Sequence, residues 1–147
     1  MAKEALVLGF ILFAVFQLIV GAVPTNTYAG NGFSFSYPEG WSPESGTALL
    51  KSSDGTAFVE AAVIPEQSLR ALALVEFDNP GRFPQEALSF SGRSWTKTCM
   101  DTAGARICRA FTKCGDSTIA VTLNEKKESA GSHDGGYAAM LGNFRCL

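Results

Sequence analysis

The sequence predicts an α+β domain, in which an antiparallel β-sheet of about six strands is flanked by helices and preceded by one N-terminal hydrophobic helix. Short segments with alternating apolar and polar residues recur along the chain and are separated by Gly, Pro, Asn and Asp. Two further segments space their apolar residues at helical intervals, and the chain begins with a long apolar run. The predicted order is three strands, a helix, three strands and a helix.

The composition is that of one globular domain. The chain has 147 residues, of which 46% are hydrophobic and 18% are charged, and this length corresponds to a single domain. The formal net charge of −2 gives no basic field that would attract a phosphate backbone. We therefore expect no nucleic-acid partner.

Residues 1–22 are predicted to be a signal peptide or an N-terminal membrane anchor. Residues 5–23 form a nearly uninterrupted apolar run, and about 20 apolar residues are enough to cross a bilayer as a helix. Small residues provide a cleavage site after Ala22. Cleavage would give a secreted domain, and retention would anchor it by a single transmembrane helix. In both cases the linker at 23–30 and the globular domain at 31–147 are extracytoplasmic.

The stretch FSFSYPEGW predicts the first strand of the core. Phe33, Phe35 and Tyr37 alternate with serines, which is the pattern of a half-buried strand. Pro38 then begins a turn, after which Trp41 can fold back onto the same aromatic face. We interpret these aromatic residues as core. The alternative is a protein-binding patch of Phe33, Tyr37 and Trp41, which requires that the last helix leaves this face uncovered.

The middle of the chain predicts a hairpin, a helix and a loop. Strands at 47–53 and 56–64 flank an Asp-Gly turn, so they are expected to pair. Apolar residues at helical spacing predict a helix over 66–77, which ends before an Asn-Pro-Gly sequence. Residues 82–92 have no clear period and predict a loop with a turn of helix at 84–88.

The last third of the chain predicts three more strands and a final helix. The strands are expected at 94–101, 105–113 and 117–123, where apolar residues alternate. Residues 124–134 are polar and predict a solvated loop before a helix over 135–145. The apolar stripe of this helix comprises Tyr137, Met140, Leu141 and Phe144.

The four cysteines lie in the part of the chain that is expected to be exported, and an even set in an oxidising compartment predicts two disulfides. A zinc site normally has short paired spacings such as C-x-x-C, which this set lacks. A reactive thiol would need a histidine or a C-x-x-C neighbour to activate it, and none is nearby. The four residues are Cys99, Cys108, Cys114 and Cys146.

Hairpin geometry favours one connectivity. A two-residue Ala-Gly loop between the strands places Cys99 opposite Cys108 and also sets an aspartate opposite an arginine. In this register Cys99 and Cys108 form a non-hydrogen-bonded pair of the antiparallel strands. The Cα atoms of such a pair are about 4.5 Å apart, a distance that a disulfide can span. The remaining pair, Cys114 with Cys146, would then join the chain end to the sheet.

His133 is the only histidine of the chain and lies between Ser132 and Asp134. Sequence neighbours rarely reach the geometry of a catalytic triad, and Ser132 or Asp134 is better suited to cap the following helix. Capping or solvation is therefore the favoured role, and a hydrolase site is the alternative if the three side chains share one cleft. The sequence has no nucleotide-binding, zinc-protease or serine-hydrolase motif. We expect no enzymatic activity, no cofactor and no metal site.

Three stretches resemble a known family. FSFSYPEGW, then LKSSDGTAFVEAAVIP, and the closing YAAMLGNFR are similar to segments of the PsbP-like family, whose members open on Phe-x-Phe-x-Tyr-Pro-x-Gly-Trp. The resemblance covers about residues 31–147 and implies a compact α-β-α sandwich around an antiparallel sheet. The family is named for an extrinsic subunit of the oxygen-evolving photosystem. The four cysteines and the charged loop before the last helix depart from that subunit, so the resemblance carries the fold and not the photosynthetic role.

The leading hypothesis from the sequence is an exported, non-catalytic PsbP-like binding or accessory domain at an extracytoplasmic membrane face. Its expected partner is another protein, including a protein of a membrane complex. Residues 5–23 would contact the membrane if they are not cleaved. The alternative hypothesis is a carrier that binds a small molecule or a metal ion, such as calcium or manganese, in a pocket between sheet and helix.

Overall fold

The computed structural model describes residues 26–65 and 85–147, and two antiparallel sheets and one α-helix form within them. The helix is α1 (Asp134–Asn143), and a single 3-10 turn lies at Lys127–Ser129. The strands are β1 (Thr27–Ala29), β2 (Phe33–Ser36), β3 (Trp41–Pro43), β4 (Leu49–Ser52), β5 (Ala57–Ile64), β6 (Gln85–Phe90), β7 (Arg93–Asp101), β8 (Ala105–Cys114), β9 (Ser117–Lys126) and β10 (Arg145–Cys146).

The larger sheet has seven strands in the order β3-β4-β5-β9-β8-β7-β6, and the smaller sheet has three in the order β1-β2-β10. Neighbours in the larger sheet follow one another along the chain except β5 and β9, which pair over eight residues. Strand β9 therefore joins the N-terminal and C-terminal halves of this sheet.

The predicted fold class is wrong. Ten strands in two sheets and one short α-helix make the described residues a mainly β structure, rather than a six-stranded α+β sandwich flanked by helices. The sequence underestimates strand content because several strands are too short or too exposed to show alternation. Strand β1, for example, has three residues and lies within the predicted linker. The predicted N-terminal hydrophobic helix and the predicted helix over 66–77 lie outside the described residues.

Strand β6 forms where the sequence predicts a loop with a turn of helix at 84–88. It pairs with β7 along its whole length. Ser91 and Gly92 connect the two strands with φ angles of 51° and 78°, the left-handed conformation that a two-residue hairpin loop requires. Strand β6 is an edge strand with mostly exposed residues. It therefore lacks the apolar alternation by which a sequence pattern reveals a strand.

Strand β9 continues to Lys126 and so enters the predicted loop over 124–134. Its last residues pair with two strands, because Glu125 lies opposite Ala57 of β5 and opposite Arg106 of β8. Glu125 is only 1% exposed. Buried carboxylates are rare. Because Glu125 is charged, the apolar alternation of β9 stops before it in the sequence, and the predicted strand therefore ends too early.

Both cysteine pairs lie at disulfide distance, in the predicted connectivity. Cys99 and Cys108 face each other across β7 and β8 in the predicted register, with Cα atoms 4.1 Å apart. Cys114 and Cys146 have Cα atoms 5.5 Å apart. The first disulfide joins neighbouring strands, and the second joins the two sheets because Cys146 belongs to β10.

Helix α1 packs on the larger sheet through its predicted apolar stripe. Tyr137 and Met140 are buried, and the Tyr137 hydroxyl donates to the Val121 carbonyl oxygen at 2.5 Å. Burial raises the pKa of the Tyr137 hydroxyl well above its ordinary value. The helix ends at Asn143, before the predicted end at residue 145, because the following residues pair with β2 as β10.

No helix within the described ranges, 26–65 and 85–147, is both long enough and apolar enough to span a membrane.

Aromatic rings fill the space between the two sheets. Phe33 and Phe35 of β2 are 1% and 2% exposed. Phe33 stacks on Phe144 with ring centroids 5.5 Å apart, and Phe144 meets Trp95 of β7 edge-on at 5.0 Å. Tyr28 of β1 stacks on Phe35 at 4.8 Å. These contacts join the smaller sheet and the chain end to the larger sheet.

The contact between helix and sheet can be tested at Gly136. A Cβ atom added there would lie 2.9 Å from Trp41 Nε1, so the buried indole must shift. We expect Gly136→Ala to lower the free energy of unfolding by about 1–3 kcal/mol. Gly142 lies in the same helix with open space around it, and Gly142→Ala should raise stability by about 0.5–1 kcal/mol. Chemical denaturation measures both values, and equal effects would contradict this packing.

The two disulfides should contribute unequally to stability. The Cys114–Cys146 bond spans 32 residues and the Cys99–Cys108 bond spans 9. In the chain-entropy description, removal of the longer link lowers the free energy of unfolding by about 4 kcal/mol and removal of the shorter by about 3 kcal/mol. Denaturant unfolding of the two paired Cys→Ser variants measures these losses. Four alkylatable thiols in the native protein, or a greater loss at the shorter link, would contradict the expectation.

Candidate functional site

A cleft of about 920 Å³ lies at the end of the larger sheet that carries the β6–β7 hairpin and the β8–β9 turn. Its walls come from this hairpin, from the adjoining ends of β8 and β9, and from the C-terminal segment, defined as residues 144–147. The lining residues are Phe90, Ser91, Gly92, Arg93, Ser94, Trp95, Thr96, Phe111, Thr112, Lys113, Thr118, Phe144, Arg145 and Cys146.

The C-terminal segment is a fixed wall of the cleft. Strand β10 pairs with β2, with Cys146 opposite Phe33. The Leu147 amide donates to the Gly32 carbonyl oxygen at 2.9 Å. On the other side, Cys146 is bonded to Cys114 at the end of β8. The segment is therefore attached to both sheets.

Three cationic side chains line the cleft, and among the described residues no acidic side chain does. The Arg93 guanidinium donates to the Lys113 carbonyl oxygen at 2.9 Å and lies 5.4 Å from the centroid of the Phe144 ring. Within the two described ranges, the charged groups of Lys113 and Arg145 have no ion-pair partner. The cleft therefore presents a positive potential, which favours an anionic ligand.

The indole of Trp95 has an unpaired donor. Trp95 is 2% exposed, and its Nε1–H has no hydrogen-bond partner among the described residues. A buried donor without a partner is rare, because its desolvation is uncompensated. Trp95 is among the residues that line the cleft, but its Nε1 atom is itself buried.

A second polar site, the His133 cluster, consists of Asp54, Arg106, Glu125, His133 and Asp134. His133 Nδ1 lies 3.0 Å from Glu125 Oε2, and His133 Nε2 lies 3.2 Å from Asp54 Oδ2. Arg106 is 3.7 Å from both Glu125 Oε1 and Asp134 Oδ2. The cluster therefore connects the β4–β5 turn, β8, β9 and the start of α1.

Glu125 is the buried centre of the His133 cluster. Its side chain is fully buried, which would be costly for a lone carboxylate. The Gly131 amide donates to Glu125 Oε1 at 3.0 Å, and His133 and Arg106 supply the remaining contacts. These partners compensate for the loss of water around the carboxylate.

Asp54 is more exposed, and its pKa is lowered well below the ordinary carboxyl value. The largest cause is the Ser52 hydroxyl, which donates to Asp54 Oδ1 at 2.6 Å. The Thr56 amide and hydroxyl also donate to Oδ1, at 3.0 Å and 2.8 Å. All three bonds favour the ionised carboxylate. The nearby His133 ring acts in the same direction.

The His133 cluster is not arranged as a hydrolase triad. Ser132 Oγ lies 3.2 Å from His133 Nδ1, but Glu125 lies closer to the same nitrogen. The other ring nitrogen faces Asp54, and Asp134 lies beside an arginine instead of the imidazole. Both ring nitrogens of His133 are therefore in contact with carboxylates of the cluster. The cluster serves instead to connect distant elements.

The predicted capping role of Ser132 or Asp134 is wrong. His133 occupies the N-cap position of α1, and no side chain makes a capping hydrogen bond. The predicted solvation is also wrong, since the His133 side chain is 10% exposed. The sequence does not reveal the cluster because Asp54 and His133 are 79 residues apart. The one local signal is Glu125, a charged residue at an inward position of β9.

The aromatic residues of FSFSYPEGW lie mainly in the core. Phe33 and Trp41 are buried, at 1% and 9% exposed, and Tyr37 is half-buried against them. A partner-binding role for Phe33, Tyr37 and Trp41 stays a prediction.

In residues 26–65 and 85–147, no group of three or more His, Cys, Asp or Glu side chains is arranged to hold a metal ion.

Solved structures provide the comparison that decides the fold family. The solution structure of cyanobacterial PsbP (CyanoP) from Synechocystis is similar over 83% of this chain and 92% of that chain, with a TM-score of 0.50 and 13% identity. The chain has a PsbP-like fold. No protein-family model matches the sequence, and no curated protein sequence matches it. At this identity the similarity to PsbP concerns the fold alone.

A crystal structure of a protein from Bacteroides thetaiotaomicron is also similar in fold to this PsbP-like chain. It is similar over 85% of this chain, with a TM-score of 0.53 and 14% identity. This chain spans about half of that protein, 49% of its length.

The low pKa of Asp54 predicts how the stability of this PsbP-like domain depends on pH. The folded state stabilises the ionised Asp54, so its contribution is present above the ordinary value of 3.8 and is lost as pH falls through the folded-state pKa. Asp54→Asn should therefore lower stability at neutral pH and reduce the further loss in acid. The control is Asp116→Asn, at an exposed position in the β8–β9 turn. Unfolding free energies measured against pH test this, and an unchanged acid slope in Asp54→Asn would contradict it.

Proposed function

We propose that the chain is an extracytoplasmic, non-catalytic PsbP-like accessory domain that binds another protein at a membrane face. The PsbP-like fold is the observation that carries the proposal. Fold alone does not determine activity, so the proposal also depends on the cysteines, the His133 cluster and the N-terminal apolar run.

The cysteines support an extracytoplasmic location. All four are paired at disulfide distance, and the described residues contain no free cysteine. Disulfides persist in oxidising compartments and are rare in the cytosol. The apolar run at residues 5–23 supplies the export signal or anchor that this location needs.

The His133 cluster supports a non-catalytic role. Its histidine is engaged by Glu125 and Asp54, and its arginine lies beside two carboxylates. A general base needs a nitrogen or oxygen that is free to accept a proton from the substrate or nucleophile. The cluster uses these atoms for internal contacts.

The cleft favours a second candidate function, a carrier of small molecules. Ligand pockets in proteins have volumes of about 300–1,000 Å³, with apolar walls and few polar groups. The cleft has a volume in this range, about 920 Å³, and its lining combines aromatic residues with three cations and several hydroxyl groups.

In-cell crosslinking tests the accessory role. A lysine-reactive crosslinker applied to intact cells that make the chain, followed by mass spectrometry, should join it to one dominant extracytoplasmic or membrane protein. The matched control lacks residues 1–22 and should lose these crosslinks, because without the apolar run it stays in the cytosol. Crosslinks that persist in this control would contradict the proposed location. Turnover by the purified domain that disappears on changing one polar side chain would contradict the non-catalytic role.

A further inference from the structure

We propose that the Cys114–Cys146 disulfide is a redox latch, a bond that an external dithiol reduces in the folded protein and whose reduction releases residues 145–147 from the smaller sheet. The latch is a regulatory property beyond the accessory role, because it concerns the chain end and not the partner. Three features support it: the accessibility of this bond, the protection of the Cys99–Cys108 bond and the weak pairing of β10.

The Cys114–Cys146 bond lies at the surface of the protein. Both cysteines are half-buried. Their neighbours along the chain are all exposed, namely Lys113, Gly115, Arg145 and Leu147. Cys146 also lines the cleft, and its Sγ atom lies 3.6 Å from the Lys113 carbonyl oxygen at an exposed position. A small thiol can therefore approach Cys146 from the cleft, which is the access that thiol–disulfide exchange needs.

The Cys99–Cys108 bond is protected from the same exchange. Cys108 is 1% exposed, so an external thiolate cannot reach its sulfur. Attack on the half-buried Cys99 would expel Cys108 as a thiolate into the hydrophobic core, and apolar surroundings disfavour the thiolate form. Arg106 Nη2 lies 3.8 Å from Cys99 Sγ, where it favours a thiolate of Cys99 and not one of Cys108.

The two bonds also differ in what holds their sulfurs together after reduction. Strands β7 and β8 pair over residues 96–101 and 106–111, so reduced Cys99 and Cys108 stay opposite each other. Strand β10 has two residues, and its one strand partner among the described residues is β2. Such short pairings are marginal by themselves. Reduced Cys146 therefore moves away from Cys114, and the chain end stays free until an external disulfide restores the bond.

The reduction takes place in two exchange steps. A thiolate of the dithiol attacks Cys146 Sγ, the S–S bond breaks, and Cys114 leaves as a thiolate that takes up a proton. The second thiol of the reductant then attacks the mixed disulfide, and Cys146 leaves in the same way. The protein disulfide gains two electrons and two protons, and the dithiol that supplies them is oxidised to its own disulfide.

Release of the chain end changes two surfaces. Strand β10 covers one side of β2, with Cys146 opposite Phe33 and Arg145 opposite Ser34. Without β10, this side of β2 presents unpaired main-chain groups, and such an edge accepts an added strand. The cleft loses Arg145 and Cys146 from its lining. The oxidised and reduced proteins therefore present different surfaces to a partner.

Limited reduction of the native, oxidised chain tests the latch. Dithiothreitol, a dithiol, is added at neutral pH without denaturant, free thiols are blocked with iodoacetamide at intervals, and peptide mass spectrometry assigns them. We expect Cys114 and Cys146 to be alkylated about tenfold faster than Cys99 and Cys108, because only their bond has an accessible sulfur and a leaving thiolate outside the core.

Nuclear magnetic resonance of the partly reduced protein tests the release. The amide signals of residues 145–147 should move to random-coil shifts, while those of β7 and β8 stay dispersed. The paired variant Cys114→Ser with Cys146→Ser should show the released shifts without dithiothreitol. The matched control, Cys99→Ser with Cys108→Ser, should keep residues 145–147 dispersed until dithiothreitol is added. Limited reduction of the unmodified chain provides the same comparison if a paired variant does not fold.

The latch is wrong if the two disulfides are reduced at equal rates, if Cys99–Cys108 is reduced first, or if all four thiols appear together with loss of the dispersed signals. It is also wrong if residues 145–147 keep their dispersed shifts after Cys114 and Cys146 are reduced. These measurements use the purified protein alone, so failure of the latch leaves the crosslinking result and the accessory role unaffected.

Discussion

The attachment of residues 134–147 to the larger sheet is the constraint on which the rest of the structure depends. Tyr137 enters the core as a buried donor to the backbone of β9, and Phe144 lies between Phe33 of one sheet and Trp95 of the other. The chain end then completes the smaller sheet as β10 and is bonded through Cys146 to β8. Phe144, Arg145 and Cys146 of this region also line the cleft, so the segment that joins the two sheets forms one wall of the candidate site.

The start of this region is held by charge rather than by apolar contact. Glu125 is buried and would be destabilising alone, but His133, Arg106 and the Gly131 amide satisfy it. Trp41 lies edge-on to the His133 ring, with centroids 5.7 Å apart, and shields this side of the cluster. The imidazole therefore joins three elements, which is a structural use of the residue type that most often suggests catalysis.

The sequence predicts those parts of the fold that depend on neighbours along the chain. The register of the cysteine hairpin follows from a two-residue loop, and the apolar stripe of α1 follows from helical spacing. Strands β1, β6 and β10 escape prediction because short or exposed strands are stabilised by pairing with distant partners. The cleft and the His133 cluster escape it for the same reason. Each brings together residues from several strands, and no local pattern records that Asp54 meets His133 or that Trp95 meets Phe144.

The most direct test of the central claim is nuclear Overhauser spectroscopy of the native, oxidised protein. The account predicts cross-peaks from the Phe144 ring to the Trp95 indole and to the Phe33 ring, whose centroids lie 5.0 Å and 5.5 Å away. It also predicts dispersed chemical shifts for residues 144–147, because they pair with β2. Random-coil shifts for these residues, with no cross-peak between Phe144 and either ring, would contradict the attachment of the chain end.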